Sequence, residues 1–103
     1  MIRIIWQFRV PPETQPAFER VYGAEGDWAQ LFSRGEGYGG TTLLRDTEDH
    51  LRYLAVDLWE SLETFAAFKE RFAAEYEALD RACEPLSIEE RRIGSFGPVT
   101  VAV

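Results

Sequence analysis

Between Arg52 and Asp80 the apolar residues change their period from two to three-and-four within a few positions, so this stretch reads as a strand running straight into a helix. From Arg52 to Trp59 the side chains divide into two rows, Leu54, Val56 and Leu58 against Tyr53, Ala55, Asp57 and Trp59. Both rows carry apolar groups, so both faces of the sheet that holds this strand are expected to be covered. After Ser61, the residues Phe65, Phe68, Phe72, Tyr76, Leu79 and Cys83 recur at helical spacing and form one apolar stripe along a single long helix. The Ser61 hydroxyl can accept from an orphan amide of the first turn, and Glu60 and Glu63 suit the positive end of the helix dipole.

The remaining segments can be placed against that unit. Ile2, Ile4, Trp6, Phe8 and Val10 alternate with Arg3, Ile5, Gln7 and Arg9, which makes a first strand ended by Pro11-Pro12. Pro12 and Glu13 suit the start of a helix with Phe18, Val21 and Tyr22 inward, and Gly23 stops it. Asp27 is expected to cap a short second helix that buries Trp28, Leu31 and Phe32. The glycine-rich loop from Gly35 to Gly40 lacks the lysine and hydroxyl spacing of a phosphate-binding loop. Tyr38 to Asp46 forms a second strand, joined to the next through the polar turn Thr47 to His50. Glu84-Pro85-Leu86 breaks the long helix, Ser87 to Phe96 reads as a fourth strand, and Val99 to Val103 is an apolar tail able to extend a sheet edge. Strand, helix, strand, strand, helix, strand is the split βαβ or ferredoxin-like order, an α+β fold with an antiparallel four-stranded sheet and its helices on one face. The row Leu54, Val56 and Leu58 then faces away from the helices. A second copy of the same sheet is its simplest cover, so a homodimer through the sheet face is expected.

At 103 residues the chain makes one domain, residues 1–103, small enough for dimerisation to help it. Its net charge of −7 repels a polyanion and no basic run offsets this, so nucleic acid is excluded as a partner. No apolar window is long enough for a membrane span, and the chain opens into a strand rather than a leader, so a cytoplasmic location is expected. The single cysteine, Cys83, lies on the helix stripe as a buried thiol, and with the single histidine, His50, it has no metal-ligand spacing. No metal site is expected. No nicotinamide or flavin fingerprint occurs, and a turn position for His50 argues against a nucleophilic triad.

The run Phe18-Glu19, Tyr22-Gly23, Gly26-Asp27-Trp28, Leu31-Phe32, Gly37-Tyr38 and Gly40-Thr41, followed by Tyr53-Leu54, Asp57, Trp59-Glu60-Ser61 and Phe65 to Phe68, resembles the antibiotic biosynthesis monooxygenase domains. The resemblance covers nearly the whole chain. It implies a dimeric α+β barrel, two ferredoxin-like protomers packed sheet to sheet. It also implies several possible chemistries, among them cofactor-free oxygenation and heme degradation. In cofactor-free quinone-forming relatives an Asn precedes the strand-end Trp by four positions and a Tyr follows it by six. Trp59 is retained here, but those positions are Ala55 and Phe65. Heme-degrading relatives use an Asn on the first strand and a His and a Trp on the second helix. This chain contains no Asn, and its only His is in the hairpin turn.

The resemblance turns the face of Asp57 and Trp59 toward the cleft between sheet and helices. A carboxylate under aromatic rings has its pKa raised by desolvation and can act as a general base toward a phenol or enol. Alternatively, Asp57 pairs with Arg9, Arg45 or an amide and only fixes the sheet. The cleft walls are expected from Trp6, Phe8, Tyr22, Trp28 and Phe32 on one side. Phe65, Phe68, Phe72 and Tyr76 supply the other, with part of the set serving as core. Tyr22, Tyr38 and Tyr76 offer hydroxyls to a ligand. The function expected is cofactor-independent monooxygenation of a phenolic or polycyclic aromatic small molecule, with Asp57 and Trp59 as catalytic residues and no cofactor. The alternative is a non-catalytic ligand-binding or interaction module in which Asp57 is structural, so enzymatic activity itself stays open at this level. An open cavity with Asp57 free of cations favours the first; a cleft closed by Phe65, Phe68 and Phe72 favours the second.

Overall fold

A computed structural model describes residues 1–101. Four strands, β1 (Ile2–Arg9), β2 (Tyr38–Arg45), β3 (Arg52–Trp59) and β4 (Glu89–Phe96), form one antiparallel sheet in the order β2-β3-β1-β4. Helices α1 (Gln15–Tyr22), α2 (Asp27–Phe32), α3 (Leu62–Arg71) and α4 (Ala73–Cys83) complete an α+β ferredoxin-like fold. Antiparallel pairing of the two central strands follows from the two crossovers, each carrying helices to the same face.

The core lies between that face and the helices. Ile4, Phe8, Tyr53 and Trp59 from the sheet are at most 2% exposed and pack against Phe18, Phe32, Phe65 and Phe68. The alternation in β3 divides as the sequence requires: Tyr53, Ala55, Asp57 and Trp59 are buried, and Leu54, Val56 and Leu58 on the outer face are half-buried. Ile5, Leu44 and Phe96 join them there, the last two 49% exposed. That is a sizeable apolar surface on one side of the sheet.

Local chemistry explains the boundaries. Ser61 and Thr64 form a capping box at α3: the Ser61 hydroxyl accepts from the Thr64 amide, and the Thr64 hydroxyl accepts from the Ser61 amide, both at 3.1 Å. In the β2–β3 turn the Asp46 carboxylate accepts the amides of Glu48 and Asp49, an arrangement that substitutes for a backbone turn bond. His50 is exposed in this turn.

Several expectations are corrected. The long helix is two, broken at Phe72, whose φ of −111° and ψ of 31° leave the helical region. The bend lets Phe65 and Phe68 face Trp59 while Tyr76 reaches Trp28 across the sheet, with ring centroids 5.0 Å apart. Asp27 is the first residue of α2 rather than its cap; Gly26 holds that position, where a Cβ would meet the Val21 carbonyl oxygen at 2.4 Å. β4 begins at Glu89, two residues later than expected, and β2 ends at Arg45, one residue earlier. Val99 to Val101 are exposed and join no strand; the end of the apolar tail, residues 102–103, lies outside the described residues.

Candidate active site

A cavity of about 280 Å³ opens between the inner face of the sheet and helices α2, α3 and α4. Trp6 and Phe8 of β1, Ala55 and Asp57 of β3 and Thr41 of β2 form its floor, and Tyr22, Trp28, Phe32 and Tyr76 form its aromatic walls. Lys69, Asp80 and Glu90, all exposed, stand around the opening. The walls are mutually braced: Phe8 and Tyr22 are 4.8 Å apart between ring centroids, Trp28 and Phe32 5.6 Å. Lys69 Nζ lies 4.9 Å above the Tyr76 ring.

Asp57 is 6% exposed and is the buried charged residue of the core. It sits in the register between Ile4 of β1 and Thr41 of β2. The Thr41 hydroxyl donates to Asp57 Oδ1 at 2.7 Å, and the Tyr38 hydroxyl lies 2.5 Å from Thr41 Oγ1. Because the Thr41 proton is committed to the carboxylate, Tyr38 is the donor in the second bond. Among the described residues no cation pairs with Asp57: Arg9 holds Asp49 at 2.8 Å, and Arg45 lies 3.7 Å from Glu19. Burial pushes the Asp57 pKa up to about 6 against the pull of the Thr41 hydrogen bond. Burial likewise raises the phenols of Tyr22, Tyr38 and Tyr76, the last to about 12, so all three stay protonated donors at neutral pH.

A bulge creates this arrangement. Tyr38 pairs with Trp59 but Gly40 pairs with Leu58, so β2 carries one extra residue at Gly39. Without it, strict alternation would put Tyr38 and Thr41 on opposite faces. Gly40 makes the step with φ of +119°, a backbone conformation that side-chain-bearing residues rarely adopt. Thr41 shares the inner row with Leu43 and Arg45 by plain alternation from the hairpin, and the bulge is what turns Tyr38 onto that same face; the glycine pair between Tyr38 and Thr41 is its signal in the sequence.

The residues named from sequence separate into two groups. Trp6, Phe8, Tyr22, Trp28, Phe32, Tyr76 and Asp57 come together around the cavity. Trp59, Phe65, Phe68 and Phe72 do not line it. Trp59 is fully buried behind Phe32 and Tyr38 and between Phe65 and Phe68, with centroids 5.3 to 5.6 Å away, and Phe72 stacks on Phe68 beside the Arg34 guanidinium. The α3–α4 bend turns these three phenylalanines into the core and leaves the cavity open. The indole N–H groups of Trp28 and Trp59 are buried with no acceptor among the described residues. Lys69, Asp80 and Glu90 were not foreseen, because three ordinary surface charges on separate elements converge only in the folded chain. Among the described residues no group of three or more His, Cys, Asp or Glu side chains could hold a metal ion, and no helix is long and apolar enough to cross a membrane.

Comparison with solved structures gives the same architecture repeatedly. A candidate antibiotic biosynthesis monooxygenase from Deinococcus radiodurans is 13% identical, covers 100% of this chain and 97% of its own, and superposes with a TM-score of 0.72. A mutant of MhuD, solved with two manganese protoporphyrin IX molecules per active site, is 25% identical over 100% of this chain and 99% of its own, with a TM-score of 0.71. A mutant of SnoaB, a cofactor-independent oxygenase from Streptomyces nogalater, is 23% identical over 97% of this chain and 94% of its own, with a TM-score of 0.65. At these identities the Deinococcus protein and SnoaB establish the fold. No curated protein matches the sequence. The family profile described as antibiotic biosynthesis monooxygenase matches residues 1–79, which include β1 to β3, the Thr41–Asp57 pair and all of α3, and the chain belongs to that family.

Proposed function

We propose that the protein is a cofactor-independent monooxygenase for a phenolic or polycyclic aromatic small molecule, with Asp57 as the general base. One observation carries this reading: a carboxylate with no cationic partner among the described residues, held by Thr41 on the floor of an aromatic cavity, where burial pushes its pKa up to about 6. A base with that value is mostly ionised at neutral pH yet retains as much basicity as that state allows. Asp57 takes the proton of a phenol or enol, and the resulting anion passes one electron to dioxygen. The substrate radical and superoxide combine at the ring carbon to give a peroxide anion, which takes the proton back from Asp57 as a hydroperoxide. Loss of water then leaves a quinone, so phenol plus O2 gives quinone plus H2O. The aromatic walls orient the flat ring and exclude water. Thr41 and Tyr38 steady the carboxylate, and Trp59 backs the wall from behind Phe32.

The active unit in this reading is a homodimer closed through the outer sheet face, supported by the apolar row Ile5, Leu54, Val56 and Leu58. Heme chemistry is not proposed. The cavity lining contains no imidazole, and its three carboxylates would repel the propionates of a porphyrin. The non-catalytic reading draws on Ala55, whose methyl group adds no polar contact to the floor beside Asp57 and Thr41.

Oxygen uptake decides between the two. Anthrones and naphthols incubated with the protein are expected to consume O2 and yield quinone carrying one atom from 18O2, at a rate that rises through pH 6. Asp57→Asn is expected to lower it by about 10²-fold or more. Compounds that bind without oxygen consumption, or an Asp57→Asn variant as active as the parent, would overturn the oxygenase in favour of a binding module.

A further inference from the structure

Six aromatic side chains and three carboxylates line the cavity, against the single cation Lys69. None of Asp57, Asp80 and Glu90 takes part in an ion pair among the described residues, where the pairs are Arg9–Asp49, Arg34–Glu75, Arg45–Glu19 and Arg52–Asp46. Asp57 is nine-tenths buried, and among the described residues its side-chain hydrogen bond is made by Oδ1 alone. At the opening, the cavity shares Tyr22, Asp80 and Glu90 with a second hollow of about 200 Å³, to which Glu84 and Glu89 add two more carboxylates. Burial and, after it, the neighbouring Asp80 charge push the Glu90 pKa up. Arg92, opposite Trp6 in the register, is the nearby cation on β4 and lines neither hollow. Lys69 is occupied over the Tyr76 ring.

We infer that this cavity selects aromatic ligands carrying an ammonium group, the ring lying among Trp6, Trp28, Phe32 and Tyr76 and the cation at the opening between Asp80 and Glu90. A ligand cation there pairs with carboxylates that no ion pair among the described residues engages, and meets the π faces of Trp28 and Tyr76. A ligand carboxylate at the same place adds a like charge and is rejected. The inference rests on the cavity being the ligand site, and it narrows the substrate class from phenols in general to amine-bearing phenols.

Three phenols of similar size test it: tyramine, 4-ethylphenol and 4-hydroxyphenylacetate, titrated at pH 7.5 in low salt with calorimetric detection and with Trp6 and Trp28 fluorescence as a second signal. Tyramine is expected to bind about tenfold or more tighter than 4-hydroxyphenylacetate, with 4-ethylphenol between them. The preference should shrink in 0.5 M salt and fall to about twofold in Asp80→Asn/Glu90→Gln, whose changes are at exposed positions that folding tolerates. Binding of 4-ethylphenol with no charge ranking, or a ranking unchanged in the double variant, would overturn the inference and leave the cavity as an aromatic site. Failure of all three to bind would overturn both.

Discussion

Thr41 and Asp57 face each other across β2 and β3 and are joined by a 2.7 Å hydrogen bond, with Tyr38 donating to the same threonine oxygen. The bond goes to a carboxylate that burial pushes toward its neutral form, so removing it moves the Asp57 titration further up. Thr41→Val is expected to show this in the 13C carboxyl shift of Asp57. It should also lose about 1–2 kcal/mol of stability, more above pH 6 than below pH 4, because only the ionised acceptor makes the stronger bond.

Asp57 itself opposes folding at neutral pH. Its folded pKa of about 6 lies above the ordinary 3.8, so the native state favours the protonated form. Stability from this group is therefore fully present below pH 4 and is lost as pH rises through 6. Asp57→Asn is expected to be more stable than the parent by roughly 2–3 kcal/mol at pH 8 and no more stable at pH 4, measured by urea unfolding. A variant destabilised at pH 8 would mean that Asp57 has a stabilising partner.

Gly40 tests the bulge. A Cβ there would meet no atom within 4 Å, so any penalty of Gly40→Ala comes from φ of +119° and not from crowding. The substitution should cost about 1–3 kcal/mol and lower Tm by several degrees. It should also disturb the Tyr38–Thr41 hydrogen bond and through it the Asp57 titration, since Tyr38 reaches the inner face only through this step.

Phe65 is core and not cavity wall. Phe65→Leu is expected to cost about 1 kcal/mol in urea unfolding while leaving 4-ethylphenol affinity within about twofold. Phe32→Leu, on the wall itself, should weaken that affinity several-fold, because the ligand loses part of its aromatic contact surface.

The outer sheet face predicts the assembly. Val56 stands at its centre between Ile5 and Thr42. Light scattering should give the parent twice the 11.8 kDa of one chain, and Val56→Lys should give one chain's mass, because a dry sheet-to-sheet contact has no place for an ammonium group.

The element order, the split βαβ topology and the two faces of β3 are legible in the sequence alone, because a period of two or of three-to-four fixes which side of an element is apolar whatever it packs against. The sequence also placed the Ser61 cap, because a capping hydroxyl and the first-turn amides are neighbours in the chain, whereas the cap expected at Asp27 fell to Gly26. It singled out Asp57 as a carboxylate in an apolar row and most of the aromatics around it. The tertiary structure decided what periodicity cannot encode. A bulge at Gly39 turned Tyr38 onto the inner face beside Thr41, and a bend at Phe72 sent Phe65, Phe68 and Phe72 into the core around Trp59 while Tyr76 turned toward Trp28. Lys69, Asp80 and Glu90 meet at one opening from α3, α4 and β4. Which of several aromatic stripes becomes wall and which becomes core depends on the angle between packed elements, and that angle is set by contacts between residues far apart in the chain.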